Sequence, residues 1–315
     1  MKLCLLHLDD ALESQPAFMQ AVGARDAQHV VAKESARAVR LWGKQAALDG
    51  LQDQLAQQLV LGDVPRLTFM GSGDFHHITA LLLPFALEQQ GEPVTVIHFD
   101  NHPDWVKFEG GMHCGSWVTR ALAHPKVAKV ITVGVCSGDL KRPEWKGASL
   151  SLLASGRLEL YPYDHAPSRV RREYGEGASY AQTNGAIHWK TIQAMGDEAF
   201  SAHLLSRIAT PSVYITVDKD VLARADAITN WDQGRMRLPQ VLALLRAIGS
   251  RHRIIGADVN GDYSTPDYSG SAWTRLKKRG EILLDQPFVK PDQTRIETNS
   301  AANLTLLDAF TEAMA

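Results

Sequence analysis

Asp100, His102 and Asp104 stand at alternate positions at the end of the stretch Val94-Thr95-Val96-Ile97-His98-Phe99-Asp100-Asn101-His102-Pro103-Asp104. In an extended chain alternate side chains leave one face, so the three would converge. Two carboxylates and an imidazole form a hard-to-borderline donor set, suited to Mn²⁺, Zn²⁺ or a similar divalent ion. The apolar, β-branched first half reads as a buried strand of a parallel sheet. Taken alone, the second half also reads as a polar loop turning at Pro103.

Positioning such residues requires a scaffold, and the pattern supplies one. Strands are predicted at 2–8, 65–70, 94–100, 129–136, 158–163, 187–189, 212–217 and 253–259. Helices are predicted at 34–61, where Val39, Leu41, Leu48, Leu51, Leu55 and Leu59 recur among polar residues, at 78–89, 116–123, 198–208 and 238–248. Pro84 should kink or divide the second of these. A last helix falls within 299–314, with Asn299 or Ser300 as its cap. Strands alternating with helices imply a parallel sheet covered on both faces, with ligands bound beyond the carboxyl ends of its strands. Asp74 and His76, Asp100 to Asp104, Ser137 to Asp139, Asp218 to Asp220, and Asp258 to Asp262 each follow a separate predicted strand, which gathers five polar clusters on one sheet edge.

Composition narrows the class. The 315 residues are 45% hydrophobic with a formal net charge of −2, and no long single-sign run stands out. That gives no electrostatic case for a nucleic-acid or anionic-membrane partner. Cys4, Cys114 and Cys136 are widely spaced, without a C-x-x-C pair, which fits a reduced compartment. The opening residues lack a signal-peptide pattern, and no run reaches the ~18 apolar residues of a membrane span. A cytoplasmic protein acting on a small molecule is the expectation.

Three stretches, in order, resemble the signatures of the arginase/agmatinase/formiminoglutamase ureohydrolases. Gly71-Ser72-Gly73-Asp74-Phe75-His76-His77 is similar to Gly-Gly-Asp-His. Asp100-Asn101-His102-Pro103-Asp104 is similar to Asp-Ala-His-x-Asp, and Thr216-Val217-Asp218-Lys219-Asp220 to Ser-x-Asp-x-Asp. The likeness covers about 65–262. It implies a three-layer α/β/α fold with a mainly parallel central sheet, as one domain over 1–315 with a lid or excursion at 140–186. It further implies two divalent metal ions, usually Mn²⁺, bridged by hydroxide and held by His76, Asp100, His102, Asp104, Asp218 and Asp220. An extra residue in the first signature leaves His76 and His77 both open, with His76 preferred because Ile78 and the helix then follow in register. A carboxylate-rich set is what two dications ~3.5–4 Å apart require.

The resemblance gives His113 the transfer of a proton to the leaving amine, and an imidazole titrating near neutrality suits that role. The family's substrate-gripping Glu in Asp-x-x-Glu-x-Asn-Pro is missing from Gly256-Ala257-Asp258-Val259-Asn260-Gly261-Asp262. Asp258 or Asp262 stands in its place with a shorter reach, and Trp231 and Asp232 are further candidates for the pocket wall. The implied reaction is hydrolysis of a non-peptide C–N bond in a guanidino- or amidine-type substrate, and the family's trimers and hexamers imply a homo-oligomer. Two other readings stay open: a deacetylase-like amide hydrolase with one metal and Tyr263 or Tyr268 polarising the carbonyl, and a non-catalytic relative acting in binding. A dinucleotide-binding glycine motif is set aside, because His76 stands where its third Gly should be.

Overall fold

The computed structural model describes residues 1–59, 64–287 and 293–315. The β-branched and apolar runs form eight strands: β1 Lys2–His7, β2 Ala27–Val31, β3 Arg66–Ser72, β4 Val94–Phe99, β5 Val127–Val133, β6 Leu158–Tyr161, β7 Ser212–Asp218 and β8 Arg253–Asp262. They join one sheet in the order β2-β1-β3-β8-β7-β4-β5-β6, and every neighbouring pair is parallel. Such strands are hydrophobic on both faces because helices cover both. Val94 and Val96 pack into one layer and Ile97 and Phe99 into the other.

The first layer holds α1 (Gln45–Gln58), through Leu48, Leu51 and Leu55, and α2 (Thr79–Leu87). The second holds α3 (Leu238–Gly249), through Leu245 and Ile248. A further helix, α4 (Ala272–Asp285), contributes to the carboxyl edge, and α5 (Gln293–Ala313) closes the second layer with Leu306, Leu307 and Phe310. Each fully buried Leu or Phe contributes about 1.5–3 kcal/mol to this three-layer arrangement. No described helix is long and apolar enough to cross a membrane.

Several expectations are corrected. The helix expected over 34–61 is three elements: a helix Lys33–Val39, a short strand Trp42–Lys44, and α1. Leu41 takes a left-handed φ of 64°, and Arg40 turns inward to meet Asp74, so the helical period cannot run through them. Residues 60 and 61 of that expected helix lie outside the described residues. Asn299 and Ser300 do not cap the last helix, which already begins at Gln293. Their side chains instead tie it to the chain elsewhere, at the Ile228 backbone and the Phe18 amide.

Pro84 sits within α2 without ending it. Within 140–186, short strands at Ser168–Arg169, Glu176–Gly177 and Tyr180–Thr183 join Ala186–Trp189 in a separate antiparallel sheet. Of 140–186, Lys146 alone among the described residues lines the site cavity.

Candidate metal centre

The four central strands, β3, β8, β7 and β4, end at one place, and the chain leaving three of them carries the acids and imidazoles. After β3 a short 3-10 turn, Gly73–Ile78, brings His76 over the sheet edge. Its start is capped by the Ser72 hydroxyl, which accepts from the Asp74 amide. His76 Nδ1 then lies 2.8 Å from Asp100 Oδ2, 3.3 Å from Asp104 Oδ2 and 3.5 Å from Asp218 Oδ2. His77 is buried away from those carboxylates, and burial pushes its pKa down to about 3.

The chain does not stay extended through 100–104. β4 ends at Phe99, and Asp104 takes a left-handed φ of 48°, a conformation that Asp tolerates better than most residues. The turn divides the three residues. Asp104 swings back toward His76, held by the Trp117 indole N–H at 2.7 Å, while His102 goes to the other side. There His102 Nδ1 lies 2.9 Å from Asp220 Oδ2 and 3.5 Å from Asp100 Oδ1. Asp100 therefore presents one oxygen to each side.

Two groups of donors result, His76, His98, Asp100 and Asp104 in one and Asp100, His102 and Asp220 in the other, with Asp100 in both. Asp218 stands beside the first group. Its close packing explains two glycines: a Cβ on Gly261, whose φ is +90°, would fall 2.4 Å from Asp218 Oδ1, and one on Gly73 would fall 2.8 Å from Oδ2.

Buried polar partners aim the imidazoles. Thr216 Oγ1 donates to Asp258 at 2.7 Å and so accepts from His76 Nε2–H at 2.9 Å, which turns Nδ1 toward the carboxylates. Asp258 also takes the Tyr214 and Thr79 hydroxyls. His102 Nε2 is bound at 2.8 Å by Asp232, which in turn accepts from the Asn101 amide.

The electrostatics describe a site short of positive charge. Burial raises Asp104, Asp218 (to about 6) and Asp220 above the usual carboxylate range, with the negative charge of Asp100 adding to the effect in each. Burial acts the same way on Asp100, but His98, His102 and His76 around it outweigh that and hold it well below the range. Four buried carboxylates and the imidazoles directed at them are oxygen and nitrogen donors of the kinds that hold divalent transition metals, so the residues present fit a pair of such ions.

A cavity of about 260 Å³ opens over both donor groups. His113 lies on its wall, positioned by the antiparallel pairing of Gly111–His113 with Trp42–Lys44. The Gly115 amide donates to His113 Nδ1 at 2.9 Å, which places the ring hydrogen on Nε2, 2.6 Å from Glu281 Oε1. Glu281 also accepts from the Trp42 indole. Asp285, one helical turn further along α4, shares the wall with Asp139, Lys146, Trp231 and Asp232.

The two residues expected in place of the missing Glu do not reach this wall. Asp258 lies beneath the site as the partner of Thr216, and Asp262 is turned to the buried Lys219 and Asn303. Both lie on β8, which ends at the site, but their side chains are consumed below it. Trp231 and Asp232 do line the cavity; Trp231 donates to Asp74, and Asp232 serves His102. No tyrosine is among the described lining residues, and Tyr263 instead packs under the Arg295 guanidinium, 4.0 Å from the ring centre.

Sequence reasoning passed over His98, Glu281 and Asp285. His98 carried a signal, since it lies two residues before Asp100 on the same strand face. The two α4 acids carried none, because that helix reaches the cavity only through tertiary packing.

The model of the Arginase family matches residues 10–154. That match starts well before the first signature and stops before Asp218-Lys219-Asp220. A curated relative, an uncharacterized protein of Thermotoga maritima, is 26% identical over 196 residues, 62% of this chain; the chain spans 58% of that relative's length. Among solved structures, the formimidoylglutamase of Bacillus subtilis is similar with a TM-score of 0.59 at 13% identity, covering 100% of this chain and 87% of the other. Proclavaminate amidino hydrolase of Streptomyces clavuligerus gives 0.55 at 16%, covering 96% and 92%. The arginase of Bacillus caldovelox gives 0.54 at 13%, covering 96% of each chain. These likenesses show a shared fold.

Proposed function

We propose that the chain is a member of the arginase family of ureohydrolases and a metal-dependent hydrolase of non-peptide C–N bonds in guanidino or amidino compounds. The observation that supports this most is the pair of donor groups joined through Asp100 at the floor of an open cavity. His76, Asp100, Asp104 and Asp218 would hold one ion and His102, Asp100, Asp218 and Asp220 the other, with Mn²⁺ the expected metal. When bound, such a pair lowers the pKa of a shared water and so supplies a nucleophile near neutral pH.

The chain's own residues do the rest. Thr216 and Asp232 fix the rings of His76 and His102, as outer partners of ligating imidazoles do. His113, with its Nε2 hydrogen directed at Glu281, is placed to carry a proton at that nitrogen to a leaving amine. Beyond the four carboxylates that would face the ions, Asp139, Asp232, Glu281 and Asp285 line the cavity against one cation, Lys146. That balance favours a positively charged substrate, which suits a guanidinium or amidinium. The three free thiols fit a reduced, cytoplasmic setting.

The test is a panel of guanidino, amidino and acetylamino compounds offered to the Mn²⁺-loaded chain, with release of urea, ammonia or acetate followed. Turnover of a cationic guanidino or amidino compound is the expected result; turnover of acetylamino compounds alone would replace this reading with amide hydrolysis. With the best substrate, Asp285→Asn is expected to raise KM by about tenfold or more at little change in kcat, the loss of one charge-assisted contact. Glu281→Gln, which weakens the orienting partner of His113, is expected to lower kcat instead.

A further inference from the structure

We propose that His98 is itself a metal ligand, a second imidazole at the ion position beside His76, and that it biases that position toward nitrogen-favouring ions such as Zn²⁺ over Mn²⁺. This rests on the metal-centre reading above and adds to its ligand set, which contains His76 and His102 as the only imidazoles.

The register places His98 for that role. On β4 it shares a face with Val94, Val96 and the following Asp100, and it sits between Thr216 of β7 and Thr132 of β5 in a row of buried polar side chains beneath the site. Its Nδ1 is held by Thr132 Oγ1 at 3.1 Å, which directs Nε2 at the site. Nε2 lies 2.8 Å from Asp100 Oδ2, the same oxygen that His76 Nδ1 reaches at 2.8 Å, and 3.9 Å from Asp104 Oδ2. Donor atoms of His76, His98, Asp100 and Asp104 all fall within 4.8 Å of one another. Atoms each about 2.0–2.2 Å from one ion lie at most about 4.4 Å apart, and the distances of 2.8 Å and 3.9 Å fall inside that limit.

The ring has no other outlet. His98 is fully buried, and its centroid lies 5.0 Å from that of His76 and 4.9 Å from that of Trp117. Two imidazole nitrogens thus meet one carboxylate oxygen at equal distance, the separation that neighbouring ligands of one ion keep from each other. An added imidazole also changes the chemistry of the site, because nitrogen donors suit Zn²⁺, Fe²⁺ or Ni²⁺, whereas carboxylates suit Mn²⁺.

The direct test is a crystal structure of the full chain loaded with Zn²⁺ alone. An ion about 2.0–2.1 Å from His98 Nε2 is expected. An ion bound by His76 with His98 Nε2 more than about 3 Å from it, still on Asp100, would overturn the proposal and leave the metal centre standing. No ion at His76 would overturn both. In competitive dialysis against Zn²⁺ and Mn²⁺, His98→Phe and His98→Gln are each expected to lower the bound Zn²⁺/Mn²⁺ ratio about tenfold or more. A residue that only orients Asp100 would weaken both ions alike, as outer partners do. An unchanged ratio in whichever variant folds, judged by circular dichroism, contradicts ligation.

Discussion

Asp100→Ala is expected to strip both ions from the protein and to lower kcat/KM by about 10³-fold or more. The carboxylate belongs to both donor groups, with Oδ2 facing His76 and His98 and Oδ1 facing His102. Loss of a single preorganised donor to a developing oxyanion costs about 10²–10³ in kcat. Removal of a ligand shared by two ions takes away the source of the nucleophile as well, so the loss should exceed that range. Elemental analysis after dialysis, beside steady-state kinetics, checks both parts. Asp104→Ala is the control: that residue belongs to the His76 group only, so the variant should keep an ion on the His102 side. Loss of Asp100 also removes the negative charge that pushes Asp104, Asp218 and Asp220 up, which relieves repulsion among the remaining carboxylates.

Asp262→Ala should be the most destabilising single substitution close to the site, at about 3–5 kcal/mol. Lys219 lies between Asp218 and Asp220, yet its side chain turns away from the cavity and is fully buried. Its ammonium is paired with Asp262 and held at 2.6 Å by Asn303 Oδ1. Without Asp262 the charge would face one amide oxygen in a dry interior. A loss of that size is a large part of the ~5–15 kcal/mol that a folded domain commands. Urea unfolding should show a lower midpoint at unchanged slope. Combining Lys219→Met with Asp262→Leu should recover much of the loss, since apolar residues of similar volume replace buried ion pairs at little cost. A wild-type midpoint in Asp262→Ala would show that the pair carries no such weight.

The parallel sheet and the edge on which the site lies were legible in the sequence because both depend on local pattern. Buried strands read as continuous apolar runs, and acids following β4 and β7 must fall at the carboxyl edge. The same pattern was too coarse for what depends on direction. Asp258 and Asp262 lie on a strand that does end at the site, but whether a side chain points into a cavity or beneath it is decided by partners such as Tyr214 and Lys219. The expected alternation of 100, 102 and 104 was replaced by a turn through left-handed Asp104, and it is this turn that splits the candidate donors into two groups. His98 was readable in principle, since period two puts it on the face of Asp100, but it lay inside a run taken as apolar. Glu281 sits 168 residues from its partner His113, and no local rule links them. The break at Leu41 was hidden too, because Arg40 is drawn inward by Asp74, a residue over thirty positions away.

The central claim, that acids and imidazoles from three strand ends hold a pair of ions through Asp100, is tested most directly by counting metal. Purified full chain, dialysed to equilibrium against Mn²⁺ and then against metal-free buffer, should retain two ions per chain by elemental analysis. A chain that retains none, or retains both when Asp100 is alanine, would contradict it.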